Sequence, residues 1–401
     1  MQDGYFRLPC SQCPVVRFHG KNYLNDWARA LRCEPAVSGG EQATSRDGEQ
    51  AAVNNATRDV TPVGGLTLAL QRNEYANVYF VMLSLYNAFL ALLAFNAQPR
   101  DVTLLLLDAH PESGLDEVWS TLFRRVMLAG HLAEPTRFSA LGWVALSHNS
   151  PLRQMKEPRV NYLEEFRRFV LNGHGVDDVR KLNCSSLRLL FVWRKDYVSH
   201  PRNQAGKVSR KIANEQELLA AVGRAVPAGD RVEGRQLDAE PMREQLRRVS
   251  QSDVVIGMHG AGLVHSLFLP RHASLVELYP LRFPSRHKPF RAIASWRGLH
   301  YVSWRNTDSR LEKGLDETYV PPAGLVDLVT SVRRQMCIRD RTTKYLHVLA
   351  TFAHRNVTFD RISREWSMVV PVKWVFPIIS IGKALLAVDL WINALVRKKK
   401  N

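Results

Sequence analysis

Hydrophobic residues in this chain fall into short unbroken runs set between amphipathic stretches. Unbroken runs mark strands buried on both faces, and amphipathic stretches mark helices lying over them. Residues 66–70, 102–107, 187–192, 254–256 and 273–278 predict such strands, with 301–304 as one more. Residues 115–123, 217–222, 242–249 and 325–332 predict helices, as does 160–171, where Leu163, Phe166 and Val170 stand at helical spacing. The alternation implies α/β layers. Residues 78–95 carry no formal charge over a length that approaches a membrane span. Asn77, Ser84 and Asn87 interrupt the run and a strand follows at once, so it reads as a helix buried against a parallel sheet.

The apolar pattern is punctured most sharply after residues 254–256, by Gly257, Gly260 and Gly262. A strand that stops at a glycine-rich turn and re-enters a helix, here 263–269 closed by Pro270, turns bare N–H groups outward. That is an anion site suited to a diphosphate. Glu277 lies near the C-terminal end of the next strand, where open α/β sheets bind ligands, and a carboxylate there can accept both hydrogen bonds of a ribose diol. The plainer alternative is an ordinary βα turn with Glu277 paired to a surface arginine. The strand at 187–192 runs into a cationic loop holding Arg194, Lys195, His200, Arg202, Lys207, Arg210 and Lys211. A solvated surface is the alternative there. Otherwise two strand–turn–helix units point at one cleft, one bringing cations and the other N–H groups.

Composition narrows the partners. With 401 residues, 45% of them hydrophobic, the chain is long enough for two packed domains. A net charge of +17 and a pI near 9.9 favour anionic partners. The cations are scattered and no nucleic-acid motif is present, which favours a nucleotide-sugar or a membrane surface over nucleic acid. Residues 36–65 are rich in Gly, Ala, Ser, Gln, Asn and Thr and read as a surface insert. Of Cys10, Cys13, Cys33, Cys184 and Cys337, two among the first three are expected to pair in an oxidising compartment, with free thiols as the alternative; a lone C-x-x-C is weak for zinc. Sequons at Asn55, Asn183 and Asn356 support a secretory location mildly. Residues 1–32 show no signal peptide or anchor, so a secretory protein would need an N-terminal segment beyond this sequence. Residues 374–396 are apolar but interrupted by Lys383 and Asp389 and end in Arg397 to Lys400, an interfacial helix or a poor span. Truncation after Gln335 is expected to leave a folded core.

Five blocks carry a family likeness: Glu74-Tyr75-Ala76-Asn77; Asp108-Ala109-His110 with residues 115–119; residues 190–197 with His200-Pro201-Arg202; residues 207–217; and residues 256–265 around His259-Gly260-Ala261-Gly262-Leu263. Over residues 66–335 the chain resembles the family 61 glycosyltransferases, most nearly the plant-type β-1,2-xylosyltransferases of N-glycans, and is also similar to the O-GlcNAc transferases of EGF domains. The resemblance implies a GT-B-like α/β fold: two Rossmann-like domains facing a cleft, with the donor held by the C-terminal one. It divides the chain into an N-terminal segment with its insert (1–65), an acceptor-side domain (66–185), a nucleotide-sugar domain (186–336) and a tail of uncertain origin (337–401). It further implies inverting transfer from a UDP-sugar, in the Golgi or endoplasmic reticulum lumen, by a type II membrane protein. Membrane association would come through an N-terminal anchor outside this sequence or through the tail.

Under that resemblance, xylose passes from UDP-xylose to a mannose hydroxyl of a glycan or glycoprotein. The alternatives are O-GlcNAc transfer to protein Ser or Thr, or a catalytically weak binding relative. Arg194, Arg202, Lys207 and Arg210 would neutralise the diphosphate, His259, Gly260, Ala261 and Gly262 would cradle it, and Glu277 would take the ribose. Asn77 and Asp108 would face the acceptor. No Asp-x-Asp is present and Asp177-Asp178 reads as a surface pair, so neither metal nor cofactor is expected. One departure matters. Relatives carry a His and, four residues later, an Asp on the helix after Glu-Tyr-Ala-Asn, and the Asp would serve as base; here those positions hold Phe80 and Ser84. Glu74, His259 and His265 are the remaining candidates for the base, Glu74 first.

Overall fold

A computed structural model describes residues 6–9, 31–34 and 62–354, apart from 133, 156–158, 199–202 and 284–287. The chain divides into two compact units that meet between Gln154 and Met155.

In the first unit, β1 (Phe6–Pro9) and β2 (Leu31–Glu34) form a parallel pair. The main sheet is built from β3 (Val63–Leu70), β4 (Thr103–Leu106), β5 (Arg125–Leu128) and β6 (Phe138–Trp143) in the order β5-β4-β3-β6, parallel throughout. Helix α1 (Val78–Ala94) is the uncharged run, and α2 (Glu117–Leu122) precedes β5. The polar breaks in α1 have work inside the protein. Buried Asn87 donates from Nδ2 to the carbonyls of Ala145 and Leu146 at 2.8 and 2.9 Å, fastening the chain that leaves β6. No helix among the described residues is long and apolar enough to cross a membrane.

The second unit holds α3 (Leu163–Gly173), β7 (Arg188–Val192), β8 (Lys211–Ile212), α4 (Glu215–Ala225), β9 (Arg231–Arg235), α5 (Met242–Ser250) and β10 (Val254–Met258). Then come β11 (Ser274–Tyr279), α6 (Pro289–Arg297), β12 (His300–Arg305), β13 (Glu312–Lys313), β14 (Glu317–Thr318) and α7 (Pro322–His354). Its sheet runs β12-β11-β10-β7-β9, all parallel. The strand order reverses between β7 and β10, and ligands of open α/β sheets bind outside the carboxyl ends at such a reversal. A small second sheet, β13-β14-β8, lies apart from it. Each unit is thus a parallel α/β layer of Rossmann-like kind, as expected.

Three expectations are corrected. The domain boundary expected at 185/186 falls at 154/155, because α3 is bound into the second unit. Buried Arg167 donates to the Phe268 carbonyl at 3.1 Å and pairs with Asp178, and Glu164 pairs with Arg297. The tail does not begin at 337: α7 continues to His354, with Leu325, Val329, Val332 and Met336 buried against Leu218 and Val222 of α4 at four-three-four spacing. Cys337 is disulfide-bonded to Cys184, Cα to Cα 5.8 Å, and Arg333 binds Asp230 at 2.6 Å and the Cys184 carbonyl at 2.8 Å. A cut after Gln335 would therefore remove two core residues and this staple. The pairing expected among Cys10, Cys13 and Cys33 lies outside what the structure describes, as do residues 36–61, the 374–396 stretch and the sequons at Asn55 and Asn356. Asn183 is exposed.

Candidate active site

At the strand-order reversal of the second unit the chain leaves β7 through Trp193 to Arg194 and leaves β10 through His259 to Gly260. The two exits touch. A Cβ at Gly260 would run into the Arg194 guanidinium, so glycine is needed here for close approach; its extended backbone makes no demand of its own. Gly234 of β9 is needed in the same way, because a Cβ there would run into the Trp193 ring. Arg194 Nε donates to the Ser209 carbonyl at 3.0 Å, which brings the next residue, Arg210, into the site. Arg210 sits in the left-handed region (φ 61°), a conformation that costs a non-glycine residue free energy and collects at functional sites. Its buried Nε has no hydrogen-bond partner among the described residues, and its guanidinium lies 5.4 Å from the Phe283 ring centroid.

Burial, and then the neighbouring Arg210 charge, pull the Arg194 guanidinium down to about 10, and burial lowers Arg210 as well. Both remain cationic at neutral pH. Neither is ion-paired to a carboxylate among the described residues; Asp238 acts on Arg194 only at a distance. Two adjacent, partly desolvated, uncompensated cations beside the first N–H groups of the turn at Ala261 and Gly262 make a site for a multiply charged anion. That turn is a 3-10 helix, Ala261–Phe268, where the sequence implied an ordinary helix from 263. Lys207 is exposed and nothing joins it to the arginine pair; Arg202 lies outside the described residues.

Glu277 does not take a ribose in this arrangement. It is fully buried, Oε1 lies 2.5 Å from His259 Nδ1, and Oε2 accepts from the Tyr301 hydroxyl at 2.7 Å. It follows β10's exit because Gly257 and Glu277 are register partners, one strand apart. The carboxylate instead fixes the His259 tautomer, with Nδ1–H donating and Nε2 left as the other ring nitrogen. Burial and then the Glu277 charge push the Tyr301 hydroxyl up, so it stays a donor. His259 is packed among Phe283, Phe290 and Tyr279, with ring centroids 4.1, 5.2 and 5.3 Å away. His265 is a poorer candidate for the base: it is buried, its Nδ1 is 2.8 Å from the Gly262 carbonyl, and burial lowers its pKa, which weakens its ring as a proton acceptor.

Phe283 and Arg210 also line a cavity of about 380 Å³ that continues past the carboxyl end of β11 to the β13–β14 hairpin. The hairpin carried no hydrophobic signal in the sequence and was missed. Among the described residues no three His, Cys, Asp or Glu gather as a metal site requires; Asp178 of the Asp177-Asp178 pair is spent on Arg167.

In the first unit, the residues expected to face an acceptor turn out to be bonded locally. Asn77 caps α1, its Oδ1 accepting from the Tyr79 N–H at 3.1 Å. Asp108 accepts from Arg72 Nη2 at 2.7 Å and from the Arg72 N–H at 2.9 Å, and Asp116 takes Arg72 Nη1 at 2.6 Å. Arg72, 2% exposed, was missed, although an arginine just past a buried strand with an aspartate past the next one is a readable signal. Glu74 Oε1 accepts from the Tyr75 N–H at 3.1 Å, and Tyr75 stacks on His110 at 4.8 Å. Phe80 is half-buried and Ser84 is 1% exposed, so the second position of the missing pair faces the interior here.

Residues 115–276 match the family model Glycosyltransferase 61. The chain is 26% identical over 309 residues to a Beta-1,2-xylosyltransferase of Arabidopsis thaliana (67% of this chain, 55% of that protein). It is 28% identical over 261 residues to a Beta-1,2-xylosyltransferase of Oryza sativa subsp. japonica (59% and 48%). Over 117 residues it is 38% identical to an EGF domain-specific O-linked N-acetylglucosamine transferase of Drosophila melanogaster (29% and 21%). The chain thus spans about half the length of the two xylosyltransferases it matches.

Proposed function

From the family 61 match, we propose that this chain is an inverting glycosyltransferase that moves xylose from UDP-xylose onto a mannose hydroxyl of an N-glycan. The observation that carries the reading is the uncompensated pair Arg194 and Arg210, with Arg194 packed against Gly260. Partly desolvated cations without paired carboxylates are costly unless an anion completes them. A sugar diphosphate does so, and its negative charge grows as the bond to the sugar breaks, so the same cations favour the transition state over the ground state.

In this reading the acceptor oxygen bonds to the sugar C1 as the C1–O bond to the diphosphate breaks. UDP leaves toward Arg194 and Arg210, and Glu74 takes the acceptor proton. His259, fixed by Glu277, orients the donor. The diphosphate needs no metal. The protein works in a Golgi or endoplasmic reticulum lumen, an oxidising compartment that the Cys184–Cys337 disulfide supports, and is anchored in the membrane outside the described residues.

Calorimetric titration with UDP-xylose and UDP-GlcNAc, followed by turnover on a mannose-terminated N-glycan, tests the proposal. Preference for UDP-xylose with release of UDP supports it. Preference for UDP-GlcNAc would move the chain to the O-GlcNAc reading, and loss of turnover in EDTA restored by manganese would overturn metal independence. The second reading, a binding protein with little activity, is favoured by Phe80 and Ser84. It predicts UDP binding with no turnover.

A further inference from the structure

We infer that Asp316, on the β13–β14 hairpin, is the carboxylate that binds the ribose 2′- and 3′-hydroxyls of the donor nucleotide. The inference rests on the nucleotide-sugar reading of the same site. With Glu277 buried and saturated, the role it was expected to fill is vacant. Two carboxylates line the cavity beside the arginine pair, Glu312 and Asp316. Glu312 is occupied: Oε1 accepts from the Leu281 N–H at 2.9 Å and from Asn306 Nδ2 at 2.5 Å, and Oε2 from the Thr318 hydroxyl at 3.0 Å. The Asp316 side chain is half-buried and makes no hydrogen bond or ion pair with any described residue.

Its position relative to the phosphate site is set by backbone. The Lys211 N–H donates to the Asp316 carbonyl at 2.7 Å, and β14 pairs in parallel with β8 through Glu317–Lys211 and Thr318–Ile212. Arg210 is the residue before Lys211, so phosphate-binding cation and free carboxylate are neighbours across one strand pairing. A ribose directly follows the α-phosphate of a nucleoside diphosphate, and its diol needs acceptors of just this kind. Glu312, tied to β11's exit and to the end of β12, holds the hairpin base rigid and is a positioning residue. Gly314 takes a left-handed conformation (φ 70°) at the turn, and Leu315 at the tip is 90% exposed, an apolar surface at the cavity mouth against which a base can lie.

The test compares UDP, 2′-deoxy-UDP and inorganic pyrophosphate by calorimetry on the full chain and its Asp316→Asn and Arg210→Ala variants. Asp316→Asn is expected to weaken UDP roughly tenfold or more while leaving pyrophosphate binding unchanged, since hydrogen bonds to a charged group are lost and no phosphate contact is. The native chain should prefer UDP to 2′-deoxy-UDP, and the variant should lose that preference. Arg210→Ala should weaken UDP and pyrophosphate alike. Unchanged UDP affinity in Asp316→Asn, or an equal loss for pyrophosphate, would overturn the inference while leaving the donor site standing. Absence of UDP binding in the native chain would sink both.

Discussion

Arg72 and Arg194 occupy equivalent places in their two units. Each lies two residues past a strand at the order reversal of a parallel sheet, β3 in one and β7 in the other. Arg72 is saturated: Asp108 and Asp116 take its guanidinium at 2.7 and 2.6 Å. Arg194 has a like charge for a neighbour, Arg210, and no ion-paired carboxylate among the described residues. Desolvating a guanidinium costs several kcal/mol, which the first unit offsets internally and the second does not among the described residues. The same residue at the same topological position is therefore satisfied internally in one unit and, in the proposed function, part of the donor site in the other. What separates them is the partner.

Removing each cation tests this contrast. Arg72→Ala strands Asp108 in the interior and is expected to cost about 3–5 kcal/mol of stability in denaturant unfolding. Asp108→Asn added to it should recover part of that loss. A harmless Arg72→Ala would break the comparison from the structural side. Arg194→Ala and Arg210→Ala should each cost about 1.5–3 kcal/mol of UDP binding by calorimetry. Their melting temperatures should hold or rise, because a like-charge neighbour is relieved. A fall in stability as large as that of Arg72→Ala would show the pair to be structural.

Smaller effects sharpen the picture. Tyr301→Phe leaves one oxygen of buried Glu277 without its donor and should cost about 1–3 kcal/mol of stability, with UDP affinity changed less. The smallest effect is in pH. Arg194 is cationic below its lowered value and neutral above it, so UDP affinity should hold from about pH 7 to about pH 9 and decline as pH rises through about 10. A bound diphosphate raises the value in the complex, so the decline begins near about 10 and continues up to that higher value. A flat profile beyond that range would remove Arg194 from the phosphate contact. The base question needs a gentler variant than Ser84→Asp, which would put a carboxylate at a position 1% exposed. Glu74→Gln is the cleaner probe: turnover that survives it would eliminate Glu74.

The strands at 66–70, 187–192, 254–256 and 273–278, the buried uncharged helix and the glycine-rich exit of β10 were all legible in the sequence. They rest on local periodicity and on the backbone needs of glycine, which neighbours along the chain suffice to specify. The cationic loop after β7 was legible too, and the structure brings its Arg194 and Arg210 together. What the sequence could not assign was partnership. Arg72 meets carboxylates 36 and 44 residues away, Glu277 meets a histidine 18 residues before it, and Cys184 meets a cysteine 153 residues on. A carboxylate near a strand end looks the same in sequence whether it is exposed for a ribose or buried under a tyrosine. Only tertiary packing decided that Glu277 is spent on His259 while Asp316 has no partner among the described residues, because burial and pairing depend on which strands lie side by side. The short hairpin that carries Asp316 has too few apolar positions to announce itself, and it exists because Glu312, Asn306 and Thr318 close on one another in three dimensions.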